Sequence, residues 1–227
     1  MTTVGHGGEA VNSLEQLAAL GLRPEDLISQ QATITIDFLS LPPIWLACPA
    51  AFPAGGDVQS WALESAQLWW ENSGLDHQDE DVALLTGTLA GIHGILYAAD
   101  SPLLFHYALL HLPERIAPLP VMFGVWPAAG DRDAQLKTLT GVGHPGLLRP
   151  AIAEEFRTER LGSGIKVLAY TRAGEGSGIN GTISYAWRSE ELQTALRIFA
   201  AAGDLGRLQR AFPDLDQLAH AVALVPR

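Results

Sequence analysis

Residues 165–200 read IKVLAYTRAGEGSGINGTISYAWRSEELQTALRIFA, and this stretch decides the fold. Ile165, Val167 and Ala169 alternate with Lys166, Leu168 and Tyr170, the two-residue period of a strand that runs to Arg172. Glycines 174, 176, 178 and 181 follow, and they supply the positive φ angles that a hairpin-type turn requires. Thr182–Arg188 and Leu192–Ala200 read as the next two strands. Successive strands joined by short turns make an antiparallel meander.

Toward the C-terminus, Asp204 is placed to cap a helix over Leu205–Phe212. Pro213 is expected to interrupt it and Asp214 to restart a turn or two toward Ala223. Leu215, Leu218, Ala219 and Val222 repeat at helical spacing, so the chain is expected to end as a helix packed on the sheet. Upstream of the meander, residues 151–160 carry mixed signals. Pro150 suits a helix start, but Phe156, Thr158 and Arg160 alternate, which favours a strand. Gly141–Pro150 reads as a loop and Asp131–Leu139 as a short helix. Pro102–Leu112 and Leu119–Trp126 read as strands joined through Pro113 and Pro118.

Val82–Ala99 is an uncharged run of 18 residues between Asp81 and Asp100. Its glycines, Thr86, Thr88 and His93, together with flanking acids rather than Lys or Arg, mark a buried helix and not a membrane span. Asp57 is positioned to cap a helix to about Asn72 that Gly74 closes. Ala32–Leu41 reads as a strand broken by Pro42-Pro43. Residues 1–30 form an expected appendage: disordered before Ser13, then a short helix opened by the capping-box spacing of Ser13 and Gln16. Residues 31–227 are expected to form one domain of the α+β class, a mostly antiparallel sheet with helices packed on it.

From Ala32 to Arg227 the order of elements resembles the PsbP-like α+β fold. The features that carry it are an early strand ending at Pro42-Pro43-Ile44-Trp45, helical segments, the meander and a C-terminal helix. The resemblance implies a binding, adaptor or secretion-chaperone role rather than catalysis, and it brings no functional residues with it.

Charge narrows the partners. The chain of 227 residues has a net charge of −11, with 48% apolar and 17% charged residues. Residues 1–113 hold 13 acids and one base, Arg23, a net of 1 − 13 = −12. Residues 114–227 hold 12 acids and 13 bases, a net of +1. Nucleic acid and anionic membrane are excluded as expected partners, because neutralising phosphates takes clustered Lys and Arg. An acidic half instead suits a protein partner with a basic surface, or serves solubility alone. Met1–Gly8 lacks the basic start and apolar run of an export signal, so a cytoplasmic location is expected.

Each chemical motif fails in its context. Gly141-Val142-Gly143-His144-Pro145-Gly146 spells GxGxxG, but a helix precedes it where the dinucleotide fingerprint needs a strand. Asp76, His77, Asp79 and Asp81 are metal ligands by type, yet Ala83 and Leu84 occupy the positions of the third ligand and the glycine of a calcium loop. Helix capping accounts for these acids. Cys48, the lone cysteine, lies in an apolar stretch without a neighbouring base. No cofactor and no metal are expected.

The remaining cues are aromatic and imidazole side chains. Trp61, Trp69 and Trp70 share one helix, and adjacent helical positions point about 100° apart. Trp69 and Trp70 therefore need not enter the same core: they mark two sides of an ordinary core helix, or one lines a groove or meets a partner. The leading expectation is a protein-binding module without catalytic activity: an adaptor, a secretion-chaperone-like protein or a toxin-neutralising partner. An alternative is an enzyme or small-ligand-binding protein with a pocket lined by the 82–126 region and by His93, His106 and His111. A further alternative is a structural subunit of a larger assembly, and homo-oligomerisation is left open.

Overall fold

The alternation in residues 165–200 becomes the central strands of a seven-stranded antiparallel sheet. The computed structural model describes residues 31–52, 55–98, 105, 107–113, 117–173 and 178–227. Its strands are β1 (Ala32–Ile36), β2 (Trp45–Cys48), β3 (Tyr107–His111), β4 (Leu119–Pro127), β5 (Ile152–Thr158), β6 (Gly162–Arg172), β7 (Ile179–Ser189), β8 (Thr194–Ala202) and β9 (Val222–Pro226). Its helices are α1 (Val58–Ser73), α2 (Asp79–Leu96), α3 (Arg132–Thr140), α4 (Leu205–Arg210) and α5 (Phe212–Ala221). The main sheet has the order β2-β3-β4-β8-β7-β6-β5, and β1 pairs with β9 in a separate two-stranded ribbon. The α+β class with helices on a mostly antiparallel sheet is thus what the chain adopts.

Register sorts the side chains into two faces. On one face Leu109, Val121, Phe123, Ile183, Tyr185, Trp187, Leu196 and Ile198 form a core with Leu208 of α4, Leu215 and Leu218 of α5 and the β1–β9 ribbon. On the other face Cys48, Ala108, Leu110, Met122 and Phe199 pack under Ala62 and Ala66 of α1 and Leu89 and Leu96 of α2. Farther along that same face, Leu136 and Leu139 of α3 cover Trp126, Ala186 and Ala195.

The helix boundaries have local causes. Asp57 accepts from the amides of Gln59 at 2.8 Å and Ser60 at 2.9 Å, which opens α1, and Gly74 closes it at φ 65°. The Asp81 carboxylate accepts from the Gln78 amide at 2.9 Å, so it caps α2. Asp131 opens α3 through the Ala134 amide at 2.9 Å. Asp131→Ala should lower stability by about 1 kcal/mol, read as a lower urea midpoint at unchanged slope.

Several sequence expectations need correction. The chain does not end helically: α5 stops at Ala221, and Val222–Pro226 turns into β9. Pro213 lies in the first turn of α5 and starts that helix instead of interrupting one, since its missing N–H is not needed there. β1 ends at Ile36, and a 3₁₀ turn over Phe38–Ser40 replaces the rest of the expected strand. The appendage over 1–30, the turn glycines 174 and 176, and the start of the strand expected from Pro102 lie outside the described residues. No helix among the described residues is long and apolar enough to cross a membrane.

Candidate functional site

α2 presents Asp81, Leu84, Leu85 and Thr88 at the i, i+3, i+4, i+7 spacing of one helical face. Opposite this face stand Trp69 and Trp70, near the end of α1. Between them is a cleft of about 330 Å³, completed by Leu112 after β3 and by Ala117 and Pro118 before β4. The tryptophan rings meet edge to face, 4.7 Å apart at 80°. The Trp69 indole donates to the Leu112 carbonyl at 3.2 Å, which ties α1 to the end of β3. Trp70 is buried and His77 stacks on it at 5.4 Å. The apolar wall is not fully covered: Leu84 is 73% exposed and Leu68, on the neighbouring face of α1, is 57% exposed. Asp81 is the charged residue among the described lining, its chain neighbours Asp79 and Glu80 and the neighbour of Trp70, Glu71, are acids, and residues 31–113 contain no Lys or Arg.

Beneath the cleft floor lies a buried polar network. His111, the last residue of β3, is 1% exposed, and Arg207 of α4 is 5% exposed. The Arg207 guanidinium donates to the His111 ring Nδ1 at 2.9 Å, to the His111 carbonyl at 2.9 Å and to the Ala117 carbonyl at 3.0 Å. The other ring nitrogen, Nε2, meets the Asp214 carboxylate of α5 at 2.8 Å. Arginine only donates, so Nδ1 accepts and Nε2–H donates to Asp214, which assigns the neutral tautomer. Burial pushes the imidazole below its ordinary value, and the Arg207 charge adds to this against the opposing pull of Asp214. Trp45 closes the site from β2, its ring 4.8 Å from that of His111.

The tryptophans and histidines singled out from sequence divide between these places. Trp69 and Trp70 line the cleft. Trp61 packs instead beside Phe52 and His93, with ring centroids 6.3 and 5.8 Å away. His93 is buried and its Nε2 is 3.0 Å from the Pro49 carbonyl. His93 belongs to the α1–α2 face of the sheet and His111 to the α4–α5 face, so the structure does not bring these two together. His106 lies outside the described residues. Leu84, Leu112, Ala117 and Pro118 fall within the 82–126 region expected to line a pocket, although the sequence did not single them out; Arg207 and the bond between Asp214 and His111 lay outside that expectation. The stripe from Asp81 to Thr88 was a readable signal; the pairing of residues 103 apart in the chain was not.

Other chemical candidates resolve into structure. Cys48 is fully buried, and burial pushes its thiol up to about 12, which leaves it a small hydrophobe. The GxGxxG segment is a turn beyond α3, in which Gly141 and Gly143 take φ angles of 73° and 83°. Among the described residues no group of three or more His, Cys, Asp or Glu is placed to hold a metal ion. A second cleft, of about 630 Å³, is lined by Arg157, Thr158, Glu159, Arg160, Gly162 and His220. Asp37 already engages Arg160 at 2.8 Å, and Glu159 offsets Arg157, so the cleft has little net charge to offer an anion.

Layers and sheet order together define an α+β protein built on a seven-stranded antiparallel sheet. No protein-family model matches the chain, and no curated protein matches it. Among solved structures, it is similar to the crystal structure of LpqN, involved in cell envelope biogenesis of Mycobacterium tuberculosis. The TM-score is 0.49 and the identity 8%, over 86% of this chain and 84% of that chain.

Proposed function

We propose that the chain is a protein-binding module whose docking site is the α1–α2 cleft, and that its partner offers apolar side chains flanked by basic residues. The observation that carries this reading is the exposed Leu84 on an apolar wall whose surrounding charges are all acidic among the described residues 31–113. An apolar cleft takes side chains out of water, which supplies affinity, and like-signed charge around it selects the opposite charge on the partner. The paired indoles add rigid aromatic surface of the kind that dominates interface energetics.

A catalytic reading draws less support. Both ring nitrogens of His111 are engaged, His93 lies across the sheet from it, and Cys48 lacks an activating base.

Two designed amphipathic helices of identical apolar pattern test the proposal, one with Lys and one with Glu on its polar face. The Lys helix should bind, should weaken as salt rises, and should lose at least roughly tenfold in affinity with Leu84→Asp, which places a carboxylate on the apolar wall. Equal binding of both helices, or no effect of Leu84→Asp, would overturn the reading.

A further inference from the structure

The cleft and the buried network meet at described residues just after β3 and just before β4. Leu112, Ala117 and Pro118 line the cleft. Arg207 holds the chain there at two points, the carbonyls of His111 and Ala117, 2.9 and 3.0 Å away. Its third bond goes to the His111 ring at 2.9 Å, and that bond exists only while Nδ1 has a free lone pair. A proton on Nδ1 would set an N–H against the guanidinium N–H and place two cations in contact. The guanidinium would have to move, and with it the hold on Ala117.

We propose that His111 is a positioning residue for the cleft: neutral, it locks Arg207 beneath the floor, and protonated, it releases the floor and weakens docking. This rests on the reading of the cleft as a docking site and adds a pH control to it.

The charges that face the pair decide its behaviour. Asp214 on α5 contacts His111 directly and favours the proton. Arg207 on α4 opposes it. Arg210 and Asp204, both on or beside α4, act on Arg207 with opposite signs. Trp45, on β2, contributes an uncharged ring. The lowered His111 titration puts the switch on the acid side of the ordinary histidine value, so the locked form prevails at neutral pH.

His77 is a second histidine at the cleft, stacked on Trp70, so the test is run in a His77→Gln background. The His111 imidazole is titrated by NMR between about pH 5 and 8, and the affinity of the Lys-bearing amphipathic helix is measured over the same range. Affinity should fall by roughly tenfold as pH drops through the His111 midpoint, the scale of one charge-assisted hydrogen bond. Adding His111→Gln, whose amide does not take up a proton in this range, should abolish the step.

Constant affinity while His111 titrates would overturn the proposal, as would an unchanged step in the glutamine variant. If that variant does not fold, the coincidence of the two midpoints in the His77→Gln protein decides alone. If the peptide binds at no pH, the docking reading falls separately. The floor is then judged by the Trp69 indole N–H, which donates to Leu112. Its signal should follow the His111 midpoint, and an indifferent signal would overturn the device.

Discussion

Replacing Arg207 by Met should destabilise the protein by about 3–5 kcal/mol at pH 7.5, the range found when one partner of a buried charged network is removed. A native domain has only about 5–15 kcal/mol in hand, so the variant would fold marginally. The cost has a clear origin. Arg207 is 5% exposed and satisfies three acceptors: the His111 ring nitrogen, the His111 carbonyl and the Ala117 carbonyl. Methionine fills much of the volume but donates to none of them, and each acceptor left dry carries its own penalty.

The pH dependence separates this loss from simple loss of packing. In the wild type, the folded His111 titrates below its unfolded value of 6.5. On acidification the unfolded chain takes up this proton first. Stability from this group is therefore complete above about 6.5 and declines as pH falls toward the folded value. Removal of Arg207 takes away a charge that depresses the imidazole and leaves Asp214, which raises it. Urea denaturation at several pH values should show a smaller acid-side loss in Arg207→Met than in the wild type. An unchanged pH slope would mean that His111 does not sense Arg207.

What the sequence reveals depends on distance along the chain. The meander is legible because strand alternation is a local property: Ile165, Val167 and Ala169 oppose Lys166, Leu168 and Tyr170 whatever lies across from them. Asp57 and Asp204 are legible as caps for the same reason, since each serves amides two or three residues onward. β9 is illegible because Val222–Pro226 is a short apolar run that continues the helical spacing of Leu215 and Leu218. Only its partner β1, some 190 residues away, makes it a strand. The same limit applies to the site. The two indoles are marked by their adjacency on one helix, but the floor between them and α2 comes from Leu112, Ala117 and Pro118. The groups beside that floor, His111, Arg207 and Asp214, come from a strand and two helices that no local pattern connects.

A side chain at Gly164 should cost more than the change of one residue implies. In β6, Gly164 sits opposite Phe156 of β5 and beside Trp187 of β7. A Cβ built there would overlap the Ala186 carbonyl oxygen and would stand 2.5 and 2.6 Å from two atoms of the Trp187 indole. Neither neighbour can give way cheaply. The carbonyl belongs to the backbone of β7, locked between β6 and β8. Trp187 is 1% exposed, stacks on Tyr185 at 6.2 Å and 7°, and meets the Phe156 ring at 5.9 Å. Gly164→Val should therefore destabilise by about 3 kcal/mol or more, the upper end for overpacking, because both β6–β7 pairing and the aromatic row must shift. Gly162→Ala serves as the control two residues away. Gly162 has open space around its Cβ position but a φ of 72°, so alanine there should cost only the left-handed backbone penalty of about 1–2 kcal/mol. Urea midpoints and the near-ultraviolet circular dichroism of the tryptophans measure both variants. The reverse order of cost would show that backbone conformation, and not the seat of Trp187, is what requires glycine in this strand.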